Sequence, residues 1–142
     1  MSQDRTGIDL ETSLGYLLKE ASSALRAAME EVLRPLDMTV TRYSCLELLA
    51  QRPGLSNSDL ARGTFVTRQS MNVLLQQLEI EGFVTRPAAA PAAGRRSLEK
   101  ASAAVRSVEV RMLSGMTTDE QAAAFDALKS MIRSLRDRPS GA

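Results

Sequence analysis

Histidine and tryptophan are absent from this 142-residue chain, and cysteine occurs once. Without His the chain lacks the commonest general base, the commonest zinc ligand and every Ser-His or Cys-His nucleophile arrangement. Clustered carboxylates and phosphate-cradling loops are missing too, so we expect no enzyme, no catalytic residue, no metal and no other cofactor. A single Cys excludes an intramolecular disulfide framework and any multi-Cys metal site, and suits a reducing compartment such as the cytoplasm. No stretch approaches the roughly 18 uninterrupted apolar residues of a membrane span, and Met1-Ser2-Gln3-Asp4-Arg5 does not lead into the apolar run of a secretory signal. The expectation is a soluble, unprocessed cytoplasmic protein without a membrane partner. Aromatic residues make up 4% of a chain that is 44% hydrophobic, so the core must be built from Leu, Val, Met and Ala, as packed helices allow.

Net charge is also nearly absent, since 18 Lys and Arg face 17 Asp and Glu, a sum of +1. Its distribution is uneven. Residues 1–51 hold five basic and eight acidic side chains (−3), residues 52–106 eight and four (+4), and residues 107–142 five of each. An anionic partner would dock on the middle segment.

What is present is helical periodicity. From about Ser13 to Leu33, Leu14, Leu17, Leu18, Ala21, Leu25, Ala28, Met29 and Val32 recur at three- and four-residue steps. Pro35 should end this helix, because the residue before a proline avoids helical geometry. A second helix spans about Thr41 to Gln51, with Tyr43, Leu46, Leu49 and Ala50 inward, and Pro53-Gly54 stops it. Ser56 can cap a short helix that Gly63 ends. Thr67 can cap another running to about Glu81, with Met71, Leu74, Leu75 and Leu78 as its apolar stripe and Gly82 in the left-handed terminating position. Two short helices joined by a tight turn make a helix-turn-helix.

With that stripe inward, Arg68, Gln69, Asn72, Val73 and Gln76 face outward. This face has no acid before Glu79 and carries an apolar Val73 that water disfavours. Amide side chains pair bidentately with adenine in the major groove, Arg pairs with guanine, and small apolar groups meet the thymine methyl. Thr67, Ser70 and the first-turn N–H groups can meet phosphates. The same face could belong to a polar surface helix of a bundle.

Residues 82–86 then read as a short strand, which suggests a wing, followed by a low-complexity loop. From about Ser97 to Met112 the positions Leu98, Ala101, Val105, Val108 and Met112 form a heptad-like seam, ended by Gly115. Thr118 can cap the last helix, with Gln121 completing a capping box, and Phe125, Leu128, Ile132 and Leu135 continue the spacing.

The order of these segments resembles the MarR family of bacterial transcriptional regulators. The resemblance rests on the long first helix, Pro53-Gly54-Leu55-Ser56, Asp59-Leu60-Ala61-Arg62, Val66-Thr67-Arg68-Gln69-Ser70-Met71-Asn72, Leu78-Glu79, Glu81-Gly82-Phe83-Val84-Thr85-Arg86 and two closing helices, over about residues 10–136. It implies a mainly α fold in which residues 38–96 form a winged helix-turn-helix lobe and residues 10–36 and 97–137 a helical dimerisation region. It also implies a homodimeric repressor that binds a palindromic double-stranded operator and is released by a small ligand. A first helix roughly 30 Å long has too little in a small winged lobe to cover it, and a two-fold partner would bury it. The seam on residues 98–112 could instead pack within the chain against the first helix.

The wing departs from the family. Only ten residues separate Arg86 from Ser97, so a full hairpin hardly fits, and residues 91–96 resemble the family's helix-opening segment. The wing is shortened, or a stretch is missing from the chain. Arg86, Arg95 and Arg96 are therefore phosphate-contact candidates. The resemblance also implies a crevice for a small aromatic or phenolic effector, which by position Tyr16, Arg42 and Tyr43 could line, an Arg beside an apolar cleft suiting a carboxylate; both Tyr could equally be core residues and Arg42 a surface charge. Cys45, midway along an apolar helix, reads as an inert buried thiol rather than a redox switch. An alternative to the repressor is an interaction adaptor that keeps the winged fold and has lost strong DNA binding, to which the short wing and near-zero charge lend support.

Overall fold

The structure is a computed structural model that describes residues 7–85 and 92–137. Its helices are α1 (Leu14–Leu33), α2 (Val40–Gln51), α3 (Asn57–Thr64), α4 (Arg68–Ile80), α5 (Ala92–Leu113) and α6 (Thr118–Arg136). Ser13, Thr39, Ser56, Thr67 and Thr117 sit in extended backbone and each accepts a backbone N–H three residues on. A short hydroxyl side chain thus satisfies one of the orphan donors at each of these starts.

The ends and caps depart from the sequence expectations in several places. Arg34 keeps right-handed helical geometry (φ −56°, ψ −45°) although Pro35 follows, and the chain continues as a 3-10 turn, Arg34–Leu36, before Asp37 reverses it with φ 56°. The α-helix itself ends at Leu33, as Pro35 predicts, and proline at the start of the tighter turn that follows forfeits a donor that has no partner there. Gly63 lies within α3 rather than ending it, and it is a position where a Cβ would meet the Leu48 side chain of α2. The left-handed terminator is Phe65 (φ 62°), and Val66 N–H bonds to the Ala61 carbonyl at 3.0 Å. The last cap is Thr117, not Thr118, and Glu120, not Gln121, completes the capping box; Gln121 Nε2 donates to the Met116 carbonyl instead. Gly82 does take the left-handed position, with φ 83°.

The described chain divides into two compact units, residues 1–108 and 109–142, with the division inside α5. In the first, Cys45, Leu46 and Leu49 of α2, Leu60 and Ala61 of α3, Met71, Leu75 and Leu78 of α4, Val84 and Leu98 form one buried cluster. Leu33, Val40 and Ala101 form a second, flanked by Met29, Val32, Tyr43 and Val105. Leu98, Ala101 and Val105 of the expected seam are thus used inside this unit. Ala50 is exposed, since the buried side of α2 runs through positions 45, 46 and 49 and leaves position 50 beyond its edge. In the second unit, Phe125, Leu128, Ile132 and Leu135 all remain open along α6.

Residues 82–85 carry a single bridge position, Thr85, in place of the expected strand. Phe83 and Val84 both direct their N–H groups to the Leu78 carbonyl, at 2.9 and 3.3 Å, so these donors close α4 and are not free for a ladder. Of the loop expected over residues 87–96, residues 92–96 instead open α5, five residues before the expected start at Ser97, while Arg86 and residues 87–91, which decide whether the wing is shortened, lie outside the described residues.

Candidate nucleic-acid interface

Helix α4 presents the face that its spacing implies. Met71, Leu75 and Leu78 are buried and Leu74 is half-buried, while Arg68, Gln69, Ser70, Asn72, Val73 and Gln76 are exposed. At its start, Thr67 Oγ1 accepts the Ser70 N–H at 3.0 Å and donates to Ser70 Oγ at 2.9 Å. Both hydroxyls sit beside first-turn N–H groups, which carry the positive end of the helix dipole and face no acidic side chain of α4 in its first turn. A phosphate can approach there.

Two features were missed from the sequence. Asn57, the first residue of α3, donates from Nδ2 to Asn72 Oδ1 at 2.5 Å, coupling α3 to the outward face of α4. Residues 15 apart in sequence give no periodic signal for such a contact. The second is Ile80, 85% exposed, which extends Gln69, Val73 and Gln76 into a stripe at steps of 4, 3 and 4. Continuing the outward spacing one turn further would have found it. Phe65, also 85% exposed, stands in the turn that joins α3 to α4.

Arg95 and Arg96 are exposed near the start of α5. Arg62, on α3, is ion-paired with Asp59. Asp59 is held below the usual carboxylate range chiefly by the Ser56 hydroxyl, with Arg62 adding to it.

The three effector candidates are not brought together within one protomer. Arg42 is ion-paired with Glu81 and lies 5.9 Å from the Phe83 ring centroid. It borders a cavity of about 580 Å³ whose wall also includes Arg26, Arg34, Thr39 and Val40. Tyr43 is half-buried on the next residue. Burial first, then Glu47, push its phenol above the usual tyrosine range. Burial alone would raise the Glu47 carboxyl, but hydrogen bonds from Ser102 Oγ (2.6 Å) and Gln51 Nε2 (2.8 Å), with Tyr43 and Arg106, hold it below the usual range. Tyr16 is in the first turn of α1, ten residues and roughly 15 Å of helix before Arg26. Cys45 is fully buried beside Met71 Sδ at 3.9 Å, and burial pushes its thiol up to about 11. Among the described residues no helix is long and apolar enough to cross a membrane.

Against known proteins, residues 36–96 match the model of the MarR family. The chain is 38% identical over 125 residues to the HTH-type transcriptional repressor Rv2887 of Mycobacterium tuberculosis, a match covering 81% of this chain and 90% of that one. The crystal structure of M. tuberculosis Rv2887 with salicylic acid superposes with a TM-score of 0.74 at 39% identity, over 84% of this chain and 98% of that one. Its crystal structure with DNA does so with a TM-score of 0.71 at 38% identity, over 89% and 99%.

Proposed function

This chain belongs to the MarR family, and on that premise we propose that it is a homodimeric transcriptional repressor, not an enzyme, that reads a palindromic double-stranded operator and is released by a small aromatic ligand. The observation that carries this reading is the outward face of α4. It offers Arg68, Gln69, Asn72, Val73 and Gln76 to a groove, without an acid before Glu79, behind a capped N-terminus. Arg68, Gln69, Asn72, Val73 and Gln76 read base edges, while Thr67, Ser70, Arg86, Arg95 and Arg96 meet the backbone. That Rv2887 has been crystallised with DNA supports this assignment.

The dimer is supported by apolar side chains that the lone protomer leaves open. Leu14 is 64% exposed on α1 and Phe125 62% on α6, and Leu17, Leu18, Leu128, Ile132 and Leu135 are open with them. A two-fold partner covers such faces, with residues 10–36 and 97–137 supplying the contact and residues 38–96 the DNA lobe. Half-sites would lie one helical turn, roughly 34–36 Å, apart.

The ligand reading is supported by the salicylic acid complex of Rv2887 and by the Arg-lined cavity beside α2. Arg42 would meet the carboxylate and Tyr43 border the ring. Tyr16 does not line that cavity within one chain.

The test is fluorescence anisotropy on labelled duplexes from the gene's own upstream region over a series of salt concentrations. A repressor shows sequence-dependent binding whose affinity falls steeply with salt, as phosphate contacts release counterions. Undetectable or salt-insensitive binding would sink the reading in favour of an interaction adaptor.

A further inference from the structure

Arg42 occupies the third position of α2, where a cation opposes the positive end of the helix dipole. Local preference does not account for it, and tertiary contacts do. Its guanidinium is ion-paired with Glu81 and stands 5.9 Å from the centre of the Phe83 ring. Those two residues flank Gly82, whose φ of 83° is the left-handed step that closes α4. Glu81 is the C-cap of α4, and Phe83 N–H bonds back to the Leu78 carbonyl. One side chain from α2 therefore clamps both sides of the recognition helix's terminator.

The same guanidinium borders two cavities. The larger, about 580 Å³, has Arg26 and Arg34 in its wall beside it, together with the carboxyl residues Glu30 and Asp37, so three cations face two acids there. The smaller, about 110 Å³, is bounded by Leu36, Met38, Leu46, Glu81 and Phe83. Arg26 is already held by Glu30. The Arg42–Glu81 pair is partly open to solvent, its side chains 22% and 43% exposed, and such pairs are weak. A carboxylate that enters the larger cavity and takes the guanidinium through two parallel N–H donors is a stronger partner.

We propose that an aromatic carboxylate bound in the larger cavity takes the Arg42 guanidinium from Glu81 and so opens the C-terminal cap of the recognition helix. This rests on the ligand-responsive reading above and gives it a physical link: a ligand shifts a conformation only if it binds one state better, and here the favoured state is the one with Glu81 released. The coupling is reciprocal, so removing the Glu81 charge must tighten the ligand.

The test uses the full chain, sodium salicylate as the carboxylate probe and salicylamide as its neutral counterpart, read by calorimetry and by amide hydrogen exchange. Wild type should bind salicylate at least about tenfold more tightly than salicylamide, and Glu81→Gln should tighten salicylate by about 5- to 10-fold. Exchange at residues 80–84 should quicken with salicylate in wild type, be already fast in Glu81→Gln, and cease to respond to salicylate in Arg42→Gln. No salicylate binding by wild type, equal binding of salicylamide, no gain in Glu81→Gln, or a salicylate response that survives in Arg42→Gln would each overturn the proposal. If Arg42→Gln does not fold, the Glu81→Gln affinity and exchange still decide it. DNA affinity measured without ligand on the same samples reads the repressor assignment separately, since the exchange of partners at Arg42 needs no DNA.

Discussion

Asn57 Nδ2 donates to Asn72 Oδ1 at 2.5 Å, so the first residue of α3 holds a side chain on the outward face of α4. Asn72 is exposed and Asn57 half-buried, and the bond joins the two helices of the helix-turn-helix on the face proposed to meet a groove. Asn57 acts through Asn72. Replacing Asn57 by Ala should leave thermal stability nearly unchanged, because a surface substitution of this kind is usually within about 0.5 kcal/mol, while operator affinity falls several-fold. Asn72→Ala should then cost less affinity in the Asn57→Ala background than in wild type. Additive losses in that anisotropy cycle would show that the pair is not coupled.

Among the described residues Arg68 and Gln69 have no partner that would compete with a base edge, and each lost bidentate contact is worth roughly 1–3 kcal/mol. Arg68→Ala and Gln69→Ala should weaken operator binding accordingly and broaden sequence preference at one base pair each. If both variants bind the operator as wild type does, the outward face of α4 is not the reading surface.

A methyl group at Gly63 must displace the end of the Leu48 side chain, which its Cβ would meet. Overpacking costs roughly 1–3 kcal/mol, set against up to about 1 kcal/mol gained from the better helix propensity of Ala. Urea denaturation of Gly63→Ala, Leu48→Ala and the double variant should show a favourable coupling in the double variant, where the space is restored. A coupling of zero would mean that α3 moves away from α2 at no cost.

Burial pushes the Cys45 thiol from 9.0 to about 11. Its folded pKa is thus above its unfolded one, so the stability it contributes is whole below pH 9 and is lost as pH rises from 9 towards 11, by up to roughly 1.4 kcal/mol per pH unit. The unfolding free energy of wild type should fall across that window more steeply than that of Cys45→Ala. The same burial predicts slow reaction of the native thiol with a disulfide reagent at pH 8 and fast reaction in denaturant. A rapid native reaction would revive a redox role.

Ile132 is exposed on the α6 stripe, and a charge placed there should not disturb the folded protomer. In the proposed dimer it must be buried. Ile132→Asp should therefore halve the mass seen by sedimentation equilibrium while helix content by circular dichroism stays the same, and DNA affinity should drop with the loss of the second half-site. A variant that remains dimeric would move the interface elsewhere.

Much of this protein is determined by local sequence. The positions of α1 to α4, the capping by Ser56 and Thr67, the left-handed Gly82 and the outward set on α4 follow from periodicity and from which side chains satisfy free N–H groups, interactions that reach no further than four residues. Where two local solutions were nearly equal, sequence spacing alone did not choose between them: Thr117 with Glu120 or Thr118 with Gln121 both fit a capping box, and Gly63 and Phe65 both lie near the end of α3. The structure takes Thr117 with Glu120, and it keeps Gly63, whose Cβ would meet Leu48, inside α3 with Phe65 in the left-handed turn. The heptad-like spacing of residues 98–112 likewise marked an apolar face without naming its partner, and Leu98, Ala101 and Val105 found theirs in Leu33, Val40 and the α2–α4 cluster. Residues far apart in the chain brought in what no window of sequence contains. Asn57 meets Asn72, and Arg42 meets Glu81 and Phe83 across some forty positions, because the energy of a contact depends on distance in space and the cost of bringing its ends together grows only slowly with the length of chain between them.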